Sequence, residues 1–452
     1  MNFRDFGKYN QFREQFASMS PEMKEQMMKM AKEQMKAKIR EFVQKWLSTP
    51  ILTAVALVLG AIVGVLTAFF GSVLIYVSNL REANPFYWIP ALAVGGVLIV
   101  LAYKKFGKGT ERGMDMVFGV AHGKEDKIPL RMIPMVMAGT WITHLFGGSA
   151  GREGVAMQIG ATLGHNISSK IHIDNASRIL LVAGMAAGFA GLFQTPLAAV
   201  ALALEVLLAG HLELAALLPA TVAAFTACKV SQMFAENIVF TMNDIFPDNV
   251  MGYIWGDSGL DINFILKLAL LGVLFGIVGG GFAKALALTK SFVSKKFPNP
   301  VKRIAIGGIV ISVLLLVLWQ GCYAGLGTNL INMTFSGSSS QIHAFDWILK
   351  FALTVITIAV GFKGGEVTPL FAIGTTFGVF LSAIIEVPLP IAAALGYAAV
   401  FGAATNTLFA PMLIGAEIFG FDMLPAFFVV CIAAYVCNGG QSIYQQKKLR
   451  IR

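Results

Sequence analysis

The chain contains, at residues 147–160, the stretch Gly147-Gly-Ser-Ala-Gly-Arg-Glu-Gly-Val-Ala-Met-Gln-Ile-Gly160, which places one carboxylate, Glu153, among glycines in an otherwise apolar sequence. An ionisable side chain at bilayer depth is costly and is usually functional. Glycines beside it allow the backbone to approach a ligand closely and to point N–H groups at it. The stretch therefore predicts a functional site inside a membrane. The alternative is a glycine-rich loop at the membrane surface, with Glu153 in water.

The composition around this stretch is that of a protein that crosses a membrane several times. Of the 452 residues, 56% are hydrophobic and 13% are charged, and the mean hydropathy is +0.71. A soluble domain carries roughly 25% charged residues. Apolar runs of bilayer length or somewhat less recur at residues 51–79, 88–103, 214–233, 264–288, 304–319 and 426–436. The predicted fold class is an all-α polytopic membrane protein.

The charges are distributed unevenly along the chain, which has a formal net charge of +10. Basic residues collect in the N-terminal segment, at Lys104-Lys105, at residues 290–303 and in the tail, whereas the loop 236–261 is acidic. This asymmetry follows the positive-inside rule. It predicts a multi-pass protein of the cell's inner (plasma) membrane with both termini in the cytoplasm. Nucleic acid is not an expected partner, since the basic residues flank membrane segments.

The termini differ from the central part of the chain. Residues 1–48 are polar, rich in methionine and mixed in charge, and Ser20-Pro21-Glu22 predicts the start of a helix. This segment is predicted to be a cytoplasmic amphipathic helix near the membrane surface; a solvated, partly disordered tail is the alternative. We expect the membrane domain over residues 49–446 and a basic cytoplasmic tail at 447–452.

The membrane domain contains an internal repeat. Residues 151–164 align without a gap on residues 365–378, and residues 183–205 align on residues 395–417, ending on the pair Glu205/Glu417. A shorter pair, residues 107–110 and 325–328, falls in the same order. Repeated halves with glycine-interrupted apolar segments are typical of secondary transporters, in which broken helices meet near the midplane. The sequence predicts two inverted-topology repeats, at about 51–233 and 262–438.

Broken helices can bind an anion without a buried lysine, because a helix N-terminus carries unpaired N–H groups and about half a positive charge. The glycine-rich starts at Gly151 and at Gly364-Gly365 supply a facing pair, so the expected substrate is a small anion. The four cysteines show no metal-ligand spacing, and neither a metal nor a cofactor is predicted. An enzyme is not expected: HExxH does not occur, and although Gly147-Gly-Ser-Ala-Gly151 fits GxSxG, no base is evident for Ser149.

Four segments together resemble the CLC chloride channel and transporter family. Gly151-Arg-Glu-Gly154 followed by Gln158-Ile-Gly160 resembles the family's GREGPxxQIG signature, and residues 364–374 resemble its second anion-binding helix start. Residues 193–205 resemble a third family segment, and Tyr444 falls at the position of an inner-gate tyrosine near the end of the last helix. The resemblance implies short, broken, tilted helices and a homodimer in the lipid bilayer, with one pathway in each subunit.

The resemblance also implies roles for single residues. Glu153 matches a gating glutamate, which occupies the anion path when ionised and leaves it when protonated. Its movement would link a halide anion and protons in opposite directions. The residues implied at the anion-binding helix ends and the cytoplasmic gate are Arg152, Gly154, Val155, Val367, Thr368 and Tyr444.

Several positions depart from the family pattern. The family's GSGIP motif is absent: the internal repeat puts Lys108 in the place of its serine and predicts Gly109 and Thr110 in the anion path, whereas the spacing to Gly151 favours residues 112–114. Val155 replaces a proline, Val206 replaces a proton-relay glutamate, and Glu366 stands where the family has an apolar residue.

These departures resemble the fluoride-exporting branch of the family. Glu366 is therefore predicted to act with Glu153 in gating and proton coupling; the alternative is a surface carboxylate that the helix dipole stabilises. The predicted function is the exchange of a small halide, with fluoride favoured, for protons. A chloride/proton antiporter and a passive chloride channel remain alternatives.

Overall fold

The computed structural model describes residues 20–42, 47–234, 261–336 and 338–448. Most of the predicted acidic loop and the end of the basic tail therefore lie outside the described residues. The chain divides into two units, residues 1–52 and 53–452. In the first unit, helix α1 spans Pro21–Phe42, and the backbone N–H of Met23 donates to the Ser20 hydroxyl at 3.3 Å. The predicted helix start is thus confirmed.

The remaining described chain is almost entirely helical. The α-helices that follow are α2 Ser48–Ala83, α3 Pro85–Trp88, α4 Leu92–Ala102, α5 Met114–Ala121, α6 Met132–Leu145, α7 Glu153–Ser168, α8 Ala176–Phe193, α9 Pro196–Glu205, α10 Leu217–Phe234, α11 Ile262–Lys296, α12 Pro300–Val317, α13 Thr328–Phe335, α14 Asp346–Val360, α15 Val367–Ile385, α16 Leu389–Thr405, α17 Phe409–Phe419 and α18 Leu424–Cys437. Short 3₁₀ turns lie at Ile89–Ala91, Leu214–Ala216, Trp319–Gly321, Ser339–Gln341 and Phe421–Met423, and a π turn lies at Tyr103–Gly107. Two short strands, β1 Leu208–Ala209 and β2 Lys447–Lys448, pair in parallel.

Within the described residues, seven helical stretches are long and apolar enough to cross a membrane. They are Ser48–Ala83, Pro85–Gly107, Ala176–Phe193, Leu214–Phe234, Ile262–Lys296, Pro300–Val317 and Val367–Ile385. Shorter apolar helices of 10–17 residues accompany them. The predicted all-α polytopic fold class, with its mixture of long and short helices, is confirmed.

The helix starts show the internal repeat directly. Helices α2, α5, α6 and α7 begin at Ser48, Met114, Met132 and Glu153, and each of their counterparts, α11, α13, α14 and α15, begins 214 positions later. Gly113 precedes α5 with a φ of 54°, and Gly327 precedes α13 with a φ of 87°.

This register corrects one sequence alignment. Gly113 is the counterpart of Gly327, so the pairing of residues 107–110 with residues 325–328 is wrong by four positions. The Gly-x-Gly-Thr pattern of residues 107–110 lies at the end of the π turn and in the following turn, ahead of the helix that Gly113 begins.

Helices α7 and α15 are held by close backbone contacts with their neighbours. A Cβ atom on Gly160 of α7 would lie 1.9 Å from the carbonyl oxygen of Gly184 in α8, and one on Gly374 of α15 would lie 2.0 Å from that of Gly396 in α16. Small residues permit such contacts, and van der Waals packing then holds helices together in a bilayer. Both helices whose N-termini form the site therefore pack closely against a neighbouring helix.

Two carboxylates join the repeats through helix caps. Glu205, the last residue of α9, accepts hydrogen bonds from the backbone N–H groups of Leu408, Phe409 and Ala410 at the start of α17, at 2.6–3.1 Å. Glu417 of α17 accepts in return from Leu197 and Ala198 at the start of α9, at 3.0 and 2.8 Å. Each helix thus supplies the carboxylate that caps the other.

Candidate functional site

The two glycine-rich helix starts lie side by side. The N–H of Gly151 donates to the carbonyl of Gly365 at 2.5 Å, and the N–H of Gly365 donates to the carbonyl of Gly151 at 2.7 Å. A Cβ atom on Gly151 would lie 3.1 Å from that Gly365 oxygen and 3.2 Å from the Glu153 carboxylate. Only a residue without a side chain leaves both neighbours undisturbed, so glycine here allows the starts of α7 and α15 to meet.

The carboxylate of Glu153 lies against the start of the second helix. Its Oε2 accepts from the backbone N–H groups of Arg152 and Thr368, both at 3.2 Å, and its Oε1 accepts from the Thr368 hydroxyl at 2.5 Å. The Arg152 Nε lies 3.5 Å from Oε1. The side chain of Glu153 is 0% exposed.

The Glu153 carboxylate is held by a set of donors that could also bind a small anion. A buried charge is tolerated only where donors and opposite charge replace water. Here the guanidinium and N–H of Arg152, before α7, and the N–H and hydroxyl of Thr368, at the start of α15, do so, and the helix dipole of α15 also favours negative charge. Thr368 and Arg152 thus contact the group that a small anion would replace.

A cavity of about 560 Å³ lies beside the paired starts. Four of the predicted site residues line it: Gly154, Val155, Glu366 and Tyr444. Arg152, Glu153, Val367 and Thr368 are buried beyond its lining. The structure therefore divides the predicted residues into a buried group around Glu153 and a group that lines the cavity.

The loop before α5 lines the cavity with residues 112–114, the second of the two segments that the sequence analysis offered in place of the missing motif. Residues 111–115 line the cavity, whereas Gly109 is exposed and the Thr110 side chain is buried away from the cavity lining. The structure therefore does not bring Gly109 and Thr110 to the site, and it supports the register through residues 112–114. The reason is the helix start at Gly113, which carries the next residues into the cavity wall.

Tyr444 reaches the cavity from the segment after α18. That helix ends at Cys437, so Tyr444 lies seven residues past its end rather than near the end of a last helix. Its ring stacks on Phe118 of α5 with centroids 5.6 Å apart, and it is 7% exposed. The stacking fixes the phenol against the wall that α5 supplies.

The structure adds lining residues that sequence reasoning missed. Gln158 of α7, 8% exposed, lines the cavity within the signature stretch. Lys104, Lys290, Arg303 and Lys363 also line it. The Lys363 ammonium donates to the carbonyl of Glu111 at 2.9 Å and so joins the two loops that precede α5 and α15. Lys104, Lys290 and Arg303 belong to clusters that the sequence analysis used only for topology.

The described residues hold no group of three or more His, Cys, Asp or Glu side chains that could bind a metal ion.

Comparison with known proteins places the chain among anion channels and transporters. A sequence model of the family described as "Voltage gated chloride channel" matches residues 95–439. The chain is 34% identical over 416 residues to the "Chloride/fluoride channel protein" of Pseudomonas syringae pv. tomato, covering 90% of this chain and 87% of that protein. It is 25% identical over 440 residues to the "H(+)/Cl(-) exchange transporter ClcA" of Vibrio campbellii, covering 90% and 92%.

Two solved structures have the same fold. A CLC-type fluoride/proton antiporter matches with a TM-score of 0.84 and 45% identity, covering 90% of this chain and 100% of that chain. A slow cyanobacterial Cl⁻/H⁺ antiporter matches with a TM-score of 0.70 and 23% identity, covering 87% and 96%, and supports the fold alone.

Proposed function

Because the chain belongs to the voltage-gated chloride channel (CLC) family, we propose that it is a membrane antiporter that exchanges a small halide anion, with fluoride favoured, for protons. The observation that carries this proposal is the carboxylate of Glu153, which accepts hydrogen bonds from both the backbone and the hydroxyl of Thr368. A group that is both ionisable and seated on an anion site can link the two ions.

The exchange follows from competition for these donors. Ionised Glu153 holds the N–H and hydroxyl of Thr368 through charge-assisted hydrogen bonds. Protonation removes the charge, weakens these bonds and allows the side chain to leave. An incoming anion then takes the same donors, and its departure allows Glu153 to return after it has lost its proton. Each cycle moves an anion and a proton in opposite directions.

Glu366 supplies the inner proton step. It lines the cavity and immediately precedes the first residue of α15, two positions before Thr368. Glu205 is a poor relay because its oxygens cap three backbone N–H groups of α17, and Val206 has no ionisable group. Protons from the cytoplasm therefore reach the site through Glu366, and Tyr444 closes the cavity end.

Fluoride is the favoured substrate for a physical reason. It is small and strongly hydrated, so a selective site must offer closer or stronger donors than a chloride site. The Thr368 N–H and hydroxyl supply one donor to each oxygen of the Glu153 carboxylate, and the hydroxyl approaches Oε1 to 2.5 Å. The antiporter of 45% identity is described as fluoride/proton, which supports this choice.

The proposed assembly is a homodimer in the inner (plasma) membrane, with a complete pathway in each subunit. Residues 49–446 form the membrane domain and residues 1–48 a cytoplasmic amphipathic segment. Lys290 and Arg303 line the cavity and flank the loop between α11 and α12, and the positive-inside rule places such a loop in the cytoplasm. The cavity is then the cytoplasmic entrance, and both termini lie on that side.

Flux measurements on proteoliposomes test the function. Purified protein is reconstituted with an internal pH probe, and matched outward gradients of fluoride or chloride are applied. We expect fluoride efflux to drive protons inward, with chloride giving the smaller flux, and Glu153→Gln to abolish the proton signal. Equal or greater chloride flux would leave a chloride/proton antiporter. Anion flux without proton movement in the wild type would establish a passive channel.

A further inference from the structure

A buried lysine that the exchange cycle does not use lies behind the loop that carries Glu153. Lys350 of α14 is 0% exposed. Its ammonium donates to the Ser149 hydroxyl at 2.9 Å and to the carbonyls of Tyr323 and Gly325 at 3.0 and 2.7 Å. Each of the three N–H bonds of the Lys350 ammonium thus donates to an uncharged acceptor.

The charge of Lys350 is not needed for packing. A buried ammonium loses far more hydration energy than an apolar side chain of the same length. Across the described residues, Lys350 forms no ion pair with a carboxylate, and Asp346 one turn earlier accepts instead from the Tyr323 hydroxyl and the His343 N–H, at 2.7 and 2.8 Å. A methionine would fill the same space with a smaller loss of hydration energy. A charged residue at such a position within a membrane protein indicates a functional role.

The acceptors of Lys350 connect both repeats to the Glu153 loop. Ser149 precedes Glu153 by four residues in the segment 147–152, and its hydroxyl also lies 2.8 Å from that of Thr354. The carbonyl of Gly325, which Lys350 contacts, also accepts from the N–H of Ala150 at 3.2 Å. Lys350 therefore ties the Glu153 loop to the segment that precedes α13 in the other repeat.

We propose that Lys350 is a positioning residue for exchange: through Ser149 and Gly325 it holds the segment 147–152 so that the Glu153 carboxylate competes for the anion site. The proposal rests on the function proposed above. When the hydrogen bonds of Lys350 to Ser149 and Gly325 are lost, Glu153 is held less firmly at the start of α15. Anions then pass without a proton more often, and the coupling between the two fluxes weakens.

The test measures the ratio of protons to fluoride ions moved by reconstituted protein. This ratio does not depend on the fraction of protein that is active, so a loss of stability alone leaves it unchanged. Lys350→Met removes all three hydrogen bonds of the ammonium, and Ser149→Ala removes the one to the Ser149 hydroxyl. The matched control is Thr334→Val, which removes another buried hydroxyl, bonded to the Leu330 carbonyl at 2.9 Å within α13.

We expect the ratio to fall about twofold or more in Lys350→Met and in Ser149→Ala, since losing a buried hydrogen bond shifts a two-state equilibrium by about fivefold. The double variant should match Lys350→Met, and Thr334→Val should keep the wild-type ratio. A wild-type ratio in Lys350→Met overturns the proposal, and if that variant does not fold, a wild-type ratio in Ser149→Ala does so. A wild type that moves no protons refutes the proposed function instead.

Discussion

At the scale of single residues, the proposed exchange makes Thr368 the group that binds Glu153 and the anion in turn. Thr368→Val keeps the backbone N–H and the side-chain shape but removes the hydroxyl 2.5 Å from the Glu153 oxygen. A hydrogen bond to a charged group contributes about 1.5–3 kcal/mol, which corresponds to roughly tenfold or more in affinity. We expect the KM for fluoride to rise by about this factor in flux assays. Thr368→Ser retains the hydroxyl and should stay close to wild type; an unchanged KM in Thr368→Val would remove the hydroxyl from the site.

The proposed role of Glu366 in the proton step can be tested with a variant whose side chain cannot ionise. Glu366→Gln preserves shape at the start of α15 but cannot carry a proton, so proton-coupled fluoride exchange should fall by about tenfold or more. Folding and dimerisation, followed by size-exclusion chromatography, should not change. Glu111→Gln is the control because Glu111 lines the same cavity. Wild-type exchange by Glu366→Gln would reduce this residue to a carboxylate that the helix dipole stabilises.

The sequence could identify some site residues and not others for physical reasons. Glu153 and Glu366 lie next to glycine-rich helix starts, which leave a recognisable local pattern. The Gly-x-Gly-Thr pattern predicts Gly109 in the anion path, but only the φ of 54° at Gly113 shows where α5 begins. Lys350 has no such pattern, because two of its three acceptors are backbone carbonyls far away in the chain.

At the scale of helices, the reciprocal caps of α9 and α17 predict a stability effect. Glu205→Gln and Glu417→Gln each weaken a carboxylate cap, and losing a helix cap costs about 0.5–2 kcal/mol. We expect both variants to unfold at lower temperature in detergent while they keep the wild-type ratio of protons to fluoride. Glu386→Gln is the control, because Glu386 has an 82% exposed side chain and should not change the melting temperature. A lost proton signal at unchanged melting temperature in Glu205→Gln would make Glu205 a relay.

The long helices were easier to predict than the short ones. The apolar runs at 51–79 and 264–288 predicted α2 and α11, because an apolar run of this length spans a bilayer as a helix that satisfies its own backbone. Helix α5, with eight residues, produces no run of that length. Its limits depend on tertiary contacts with α7 and on the turn at Gly113, which a one-dimensional pattern does not contain.

At the scale of the whole molecule, the proposed dimer should contain two independent pathways. One described chain supplies both helix starts, both carboxylates and Tyr444, so no site residue has to come from a partner. Mixed dimers with one wild-type subunit and one Glu153→Gln subunit should therefore retain about half of the proton-coupled flux, since separate sites contribute additively. Tandem-linked subunits in proteoliposomes fix the composition for this measurement, and a linked wild-type pair is the control. Near-complete loss of coupled flux in the mixed dimer would show that the two subunits share one pathway.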